Sequence, residues 1–275
     1  MDRGVEYRRK RRPFKSEVRL LRRPGEFLFG EIEKVTDDYV VNLFGFICIT
    51  SALFAALAML NRIVPSALWV QATVACAVTV AFSVFAALGF KKLCKLKVIR
   101  DRMYLGYFGE SAVAEYLDEL KQQGCYVFHD VQCEDGGSKF NIDHVVVGPT
   151  GLFAVETKTY SKYWPAEDKL REEIEFVDGQ LRFTWGTGAK HIRQAIRQAD
   201  WLANRFGQKY PVQAILTFPG WEVVEREIGH VWILYPGGLA TAVRKRGTST
   251  TRNLNSKEIE DIRDYLEKAC RDVEY

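Results

Sequence analysis

The sequence predicts one α/β domain preceded by a pair of hydrophobic helices, and three observations support this prediction. Two long segments, at about residues 40–60 and 66–90, contain no Lys, Arg, Asp or Glu. From about residue 104 onward, short apolar runs rich in β-branched and aromatic residues alternate with amphipathic segments. One pair of these runs is separated by a tight turn sequence. Such alternation is typical of a central mixed sheet flanked by helices.

The two uncharged segments are long enough to cross a membrane. About 20 residues at roughly 1.5 Å each span a hydrocarbon core of about 30 Å. A buried helical hairpin in a soluble core is the alternative, but apolar segments of this length are uncommon in soluble domains. Because only residues 61–65 connect the two segments, we expect a transmembrane helical hairpin.

The charges around the two spans predict their orientation. Residues 1–23 hold ten Lys and Arg against three Asp and Glu, residues 91–100 hold five Lys and Arg, and the connecting link holds only Arg62. Because positively charged flanks stay in the cytoplasm, we expect a multi-pass protein of the inner or plasma membrane with both termini cytoplasmic. The basic stretch from Arg8 to Arg12 could bind anionic lipid headgroups or nucleic acid.

These features divide the chain into four expected parts. They are a basic cytoplasmic arm at 1–39, two transmembrane helices at 40–90, a basic juxtamembrane linker at 91–103, and the α/β domain with a C-terminal extension at 104–275. The formal net charge of +4 is unevenly distributed, with +9 in residues 1–100 and −5 in residues 101–275. Any nucleic acid must therefore be held by local basic patches of the domain.

The segment at 141–158 predicts a β-hairpin. Apolar runs at 142–147 and 152–155 are rich in β-branched and aromatic residues, which favour strands. Between them lies Gly148-Pro149-Thr150-Gly151, a sequence typical of a tight turn.

Three charged residues of this hairpin form a candidate site. Because side chains alternate along a strand, Glu156 and Lys158 fall on one face, and Asp143 is within reach across the strand pair. Two carboxylates can hold a hard divalent cation such as Mg²⁺ and leave positions for water and a phosphate oxygen. The lysine can orient the attacking water or stabilise charge on the phosphate. The alternative is an exposed Glu/Lys strand end beside a solvated aspartate.

The sequence upstream of the hairpin extends this pattern into an order that matches a known family. The segment from Tyr107 to Leu117 predicts the start of an amphipathic helix, and Gly124 precedes a strand-like run at 126–128. The whole order closely resembles the nuclease-related domain family, a branch of the PD-(D/E)xK restriction-endonuclease-like superfamily. The resemblance covers roughly residues 104–216 and implies a restriction-endonuclease-like fold. It rests on Gly109-Glu110, the strand after Gly124, Asn141-Ile142-Asp143-His144, Gly148-Pro149-Thr150-Gly151-Leu152-Phe153 and Glu156-Thr157-Lys158.

The resemblance implies roles for five residues. Asp143 and Glu156 would be the metal carboxylates, and Lys158 would be the catalytic lysine. Glu110 would be the acidic residue, and further metal ligand, that the superfamily often supplies from its first helix, although the helix dipole also favours a carboxylate in a first helical turn. Gln194 matches a glutamine that the family carries on the helix after the central strands, but the Asn-Pro often found ahead of it is absent here.

The predicted helix from Lys190 to about Phe206 has a basic face. Lys190, Arg193 and Arg197 share this face with Gln194, opposite an apolar face of Ile192, Ile196 and Ala199. A basic face beside the site could bind a phosphate backbone, and a solvated helix surface is the alternative. His144 and His191 have no partner at metal-ligand spacing, so we expect structural or surface histidines.

The remaining residues complete the α/β pattern. Strands are predicted at 172–177, 181–185, 212–218 and 231–235, and Ser256 is predicted to cap a final amphipathic helix. The six cysteines form no C-x-x-C pair, so neither a zinc site nor a disulfide framework is predicted. The sequence contains no P-loop, dinucleotide-binding fingerprint or internal repeat.

The expected function is that of a membrane-anchored nuclease that hydrolyses phosphodiester bonds with Mg²⁺ or Mn²⁺. DNA is favoured over RNA as its substrate, and the membrane and a second copy of the chain are further partners that this interpretation allows. The alternative is a non-catalytic membrane scaffold whose endonuclease-like fold binds nucleic acid or protein. A transporter or channel is disfavoured, because the two spans carry no ionisable residue.

Overall fold

The computed structural model describes residues 19–63, 68–161, 173–183, 186–224, 226–228, 230–245, 252–270 and 273–274. The chain divides into two compact units. One consists of Met1–Phe27 together with Leu105–Tyr275, and the other consists of Leu28–Tyr104. The two units are described in turn.

Two long helices make up the unit at Leu28–Tyr104 and extend beyond it. Helix α1 spans Glu26–Ile63 and helix α2 spans Leu68–Lys121. Within this unit the rings of Phe46 and Phe85 stack with centroids 5.8 Å apart, and the Arg100 guanidinium lies 5.4 Å from the Tyr39 ring centroid. Because residues early in α1 meet residues late in α2, the two helices run antiparallel here.

Both helices are long and apolar enough to span a membrane, and the apolar windows that meet this test are not buried. The segments predicted at 40–60 and 66–90 lie within α1 and α2, except residues 66 and 67, which are outside the described residues. Residues 26–39 are also part of α1, and residues 91–103 are part of α2.

A mixed sheet forms the centre of the other unit. Among the described residues its six strands span Tyr126–Asp135 (β2), Ser138–Gly148 (β3), Gly151–Thr157 (β4), Val212–Thr217 (β8), Arg226–Ile228 (β10) and Val231–Leu234 (β11). They follow the order β10-β11-β8-β4-β3-β2 across the sheet. Strand β3 is antiparallel to both β2 and β4, whereas β4, β8 and β11 run parallel.

Helices cover both faces of this sheet. On β3, Val145 and Val147 belong to one apolar cluster and Val146 to the other, as alternation along a strand requires. The first cluster includes residues of helices α3 (Lys190–Arg205) and α5 (Ser256–Cys270). The second includes residues from the C-terminal part of α2 and from α4 (Leu239–Lys245). The predicted α/β domain with a mixed sheet flanked by helices is therefore confirmed.

Shorter strands lie outside the central sheet. Strands β5 (Glu173–Val177) and β6 (Gln180–Phe183) form the predicted pair around Asp178-Gly179, while residues 172, 184 and 185 of the predicted strands are outside the described residues. They join β7 (Gly186–Gly188) and β9 (Glu222–Val223) in a second sheet. Strand β1 (Arg19–Leu20) pairs antiparallel with β12 (Val273–Glu274), which brings the two ends of the described chain together.

Two predicted helix starts were wrong. Tyr107 does not begin a helix, because α2 starts at Leu68 and passes through this position. Ser256 is not the cap of α5. Instead the Asn255 side-chain oxygen accepts a hydrogen bond of 3.0 Å from the Glu258 amide, and Glu258 accepts one of 3.1 Å from the Asn255 amide. This reciprocal pair is a capping box centred on Asn255.

Candidate active site

The predicted hairpin is formed by β3 and β4, and it brings the two candidate carboxylates together. His144 lies opposite Val155, so the register places Asp143 beside Glu156. Gly148 and Gly151 are paired at the turn, which closes the hairpin tightly.

Glu156 is the centre of the polar contacts in this region. Its side chain is 1% exposed and forms an ion pair with Lys158 through Oε1. The same Oε1 accepts a hydrogen bond of 2.6 Å from Gln194 Nε2. Its Oε2 accepts one of 2.5 Å from Gln198 Nε2. Both carboxylate oxygens are therefore held in position by the lysine that follows β4 and by two glutamines of α3.

Asp143 is buried beside this network. Its Oδ2 accepts a hydrogen bond of 2.7 Å from the backbone N–H of Thr157. Burial raises the pKa of Asp143 well above its usual value, and the charges of Glu156 and Glu110 raise it further. The Lys158 ammonium and the Thr157 N–H oppose this shift in the pKa.

Glu110 approaches the same site from α2. It lies well inside the helix rather than in a first turn, so helix capping does not account for its position. Burial, followed by the charges of Asp130 and Glu156, raises the pKa of Glu110 to about 8. Its Oε2 is buried and has no hydrogen-bond partner among the described residues.

The preceding residue, Gly109, allows α2 to come this close. A Cβ atom at position 109 would clash with the side chain of Thr159, the residue directly after the E-x-K motif. A glycine here therefore permits close packing between the helix carrying Glu110 and the chain carrying Lys158.

Lys158 lies among an excess of negative charge. Burial alone would lower its pKa, but Glu156 and Asp143 outweigh burial and raise the pKa overall. The lysine is therefore a cation, and it faces three carboxyl groups that are poorly solvated.

The structure places the three predicted basic residues of α3 on its exposed surface. Lys190, Arg193 and Arg197 are exposed, while Gln194 is partly buried and turns toward Glu156. Arg193 and Arg197 line a groove of about 470 Å³. The groove is further lined by Arg205, Trp201, Ile196 and Asn204 and by the acidic residues Glu134, Asp135 and Asp200.

Sequence reasoning missed two polar residues that the structure connects to the site. Gln198 lies one turn after Gln194, and this i, i+4 spacing was the available signal. Asp130 carried no local signal. It is fully buried on β2, its φ is +52°, and it contacts Arg22, which is distant in the sequence.

Each of the two histidines predicted to be structural, His144 and His191, contacts a neighbouring polar side chain. His144 is fully buried, and its Nδ1 lies 2.9 Å from Nδ1 of His129. Burial lowers the pKa of His129 to about 4 and lowers the pKa of His144 well below its usual value. His191 Nε2 lies 2.5 Å from the Tyr160 hydroxyl. Among the described residues, no three His, Cys, Asp or Glu side chains are close enough together to enclose a metal ion.

Comparisons with known proteins identify the domain in which most of these residues lie. Residues 105–219 match a family model described as Nuclease-related domain. An uncharacterized protein of Bacillus anthracis is 37% identical over 65 residues, which are 23% of this chain and 31% of that relative. The match therefore covers about a third of the relative's length. No solved structure matches the chain.

Proposed function

The chain carries a nuclease-related domain over residues 105–219, and from this premise we propose that it is a divalent-metal-dependent nuclease that cuts DNA. The observation that carries the proposal is the buried Glu156, which is ion-paired with Lys158 and lies beside Asp143 in the hairpin. Carboxylates and a lysine in this arrangement supply what hydrolysis of a phosphodiester bond needs, namely cation ligands and a positive group near the reacting phosphate.

The carboxylates suit a hard divalent cation. Asp143 and Glu156 offer oxygen ligands, and Glu110 adds a buried carboxyl oxygen with no partner in the described residues. A cation would offset the mutual repulsion that raises the pKa of Asp143 and Glu110. Mg²⁺ is often held by only one or two carboxylates and keeps several waters, so a closed cage of three ligands is not required. When bound, Mg²⁺ or Mn²⁺ would polarise the phosphate and lower the pKa of a bound water.

The protein side chains have separate tasks in this proposal. Lys158 holds its charge next to the carboxylates and stabilises negative charge on the phosphate as the bond breaks. Gln194 and Gln198 donate to the two oxygens of Glu156 and fix the direction of that carboxylate. Glu110 adds a ligand oxygen from α2.

Local basic groups would hold the nucleic acid. Arg193 and Arg197 are one helical turn apart and precede Gln194 and Gln198 by one residue each, so they flank the side of α3 that faces Glu156. With Lys190 they offer positive charge for a phosphate backbone. The acidic residues in the same groove restrict this surface to a few contacts, in keeping with the net charge of −5 in residues 101–275.

The two apolar helices support attachment to the inner or plasma membrane. Their large side chains are widely exposed, as a lipid environment would require, for example Phe44, Phe54 and Phe90. The excess of Lys and Arg at both outer flanks supports cytoplasmic termini, which would give the site access to intracellular DNA.

A non-catalytic scaffold is the second candidate, and one observation favours it. Both oxygens of Glu156 are already bonded by Lys158, Gln194 and Gln198. A carboxylate whose two oxygens both have polar partners within the protein can have a purely structural role.

A cleavage assay separates the two candidates. The full chain in lipid nanodiscs is incubated with labelled single- and double-stranded DNA and RNA, in Mg²⁺, Mn²⁺ or chelator. We expect cleavage of DNA that requires the metal and is abolished in Asp143→Ala and Glu156→Ala.

Glu175→Ala is the matched control, because Glu175 is an exposed acid paired with Arg182 outside the site. It should cleave like the parent. Cleavage at the parental rate by a folded Glu156→Ala protein would reject the nuclease and leave the scaffold.

A further inference from the structure

The residues ahead of α1 are held against the nuclease-related domain by one buried carboxylate, that of Asp130. Asp130 Oδ2 accepts hydrogen bonds of 2.5 Å from Arg22 Nη1 and 2.9 Å from the backbone N–H of Phe27. Its Oδ1 accepts one of 2.7 Å from Asn141 Nδ2. One side chain thus joins the first turn of α1 to the strand that carries Asp143.

Asp130 also has an unusual backbone conformation. Its φ of +52° lies in the left-handed region, which is uncommon for a residue other than glycine. In the β2–β3 pair His129 lies opposite His144 and Val131 opposite Ile142, which places the intervening Asp130 across from Asp143. The left-handed residue is therefore directly across from a candidate metal carboxylate.

A chain of hydrogen bonds continues from Asp130 to the centre of the site. Asn141, whose side chain donates to Asp130, accepts a hydrogen bond of 3.0 Å at its backbone oxygen from Gln198 Nε2. The same Gln198 nitrogen donates to Glu156 Oε2 at 2.5 Å. Any shift of Asn141 would therefore move the group that fixes Glu156.

The segment that Asp130 holds, residues 22–27, also lies close to Glu110. Gly25 has a φ of +68°, and a Cβ atom there would lie 2.7 Å from the Tyr107 ring and 3.5 Å from Glu110 Oε2. Arg22 is further fastened through its backbone N–H, which donates to the Cys270 carbonyl at 3.1 Å. Residues 22–27 are thus packed against the helix that supplies Glu110.

We propose that Asp130, together with Arg22, is a positioning residue for the hydrolytic site, acting through Asn141 and Gln198 on Glu156. The inference rests on the proposed nuclease function and adds a residue to it. Arg22 pairs its guanidinium with Asp130 in the interior, where an unpaired carboxylate would be costly. Asp130 does not contact the substrate. It fixes the direction in which the ligand oxygens of Glu156 point.

The test compares Asp130→Asn with Asp264→Asn in the full chain in nanodiscs. Asp264 is an exposed acid paired with its neighbour Arg263, so its loss should leave cleavage unchanged. Groups that orient metal ligands typically contribute about 10- to 100-fold to activity. We expect Asp130→Asn to lower kcat by about that factor and to leave KM for the DNA within about twofold. Hydrogen exchange should become faster in peptides covering 190–200 and stay unchanged in peptides covering 256–268.

Each outcome decides the proposal. Parental kcat in a folded Asp130→Asn protein, or a change confined to KM, overturns it. If Asp130→Asn does not fold, Asn141→Ala severs the same link and is judged by the same two measurements. If the parent cleaves no nucleic acid, the proposed function fails, and hydrogen exchange around Gln198 still decides whether Asp130 holds the partners of Glu156 in place.

Discussion

At the scale of single residues, the site combines a partly buried cation with more carboxyl groups than that cation can neutralise. Lys158 is ion-paired with Glu156, and the charges of Asp143 and Glu110 also act on it. Because of this imbalance, mutations can distinguish the role of the carboxylates from the role of the lysine. Removing a carboxylate would remove one of the proposed metal ligands, whereas removing the lysine would make the site more negative.

We predict that Lys158→Ala retains Mn²⁺ binding but slows cleavage about 100- to 1,000-fold, the usual cost of losing one electrostatic stabiliser of a transition state. Binding is measured from the signal of free Mn²⁺ by electron paramagnetic resonance, and cleavage is measured in single turnovers. Lys121→Ala, which removes an exposed lysine paired with Asp118, is the control. Loss of Mn²⁺ binding in Lys158→Ala would contradict these separate roles.

The raised pKa of Glu110 predicts that metal binding depends on pH. With its pKa raised to about 8 by burial and by Asp130 and Glu156, Glu110 is protonated at neutral pH in the absence of metal. A cation must displace that proton, so Mn²⁺ affinity should rise as the pH increases from 6.5 to 8.5. In Glu110→Gln the affinity should be lower, and its slope with pH should be smaller. An equal slope in parent and variant would exclude Glu110 as a ligand.

At the scale of secondary-structure elements, helix ends are set by side-chain chemistry that single positions can test. We predict that Asn255→Ala destabilises the protein by about 1 kcal/mol, because it removes the oxygen that caps α5 at the Glu258 amide. Ser256→Ala, one residue further, should change stability little. Thermal unfolding of both variants measures the difference, and a larger loss in Ser256→Ala would contradict the assignment of the cap.

The elements that the sequence predicts well are those specified by local patterns. The hairpin β3–β4 could be predicted because alternation and the turn at Gly148 to Gly151 act over neighbouring residues. The prediction that a helix starts at Tyr107 was wrong, because an apolar segment and an amphipathic segment form one continuous helix. Asp130 and its partner Arg22 could not be predicted, since their contact joins residues 108 positions apart and follows no periodicity.

At the scale of the whole molecule, the charge flanking the apolar helices predicts cytoplasmic termini. Alkaline phosphatase, which is active only after export, should be silent when fused after Tyr275 and active when fused after Pro65. The two fusions share the same first span, so each is the control for the other. Activity after Tyr275 would put the site on the wrong side of the membrane for intracellular DNA.

The pairing of β1 with β12 also affects the order of events during synthesis. Strand β1 and Arg22 leave the ribosome before the two apolar helices, whereas β12 and Cys270 leave it after them. The compact unit is interrupted in the sequence by residues 28–104, so its first piece must wait until its partners at 270–274 have been translated. Since domains otherwise tend to fold as they emerge, this unit is expected to be completed only after both apolar helices have been synthesised.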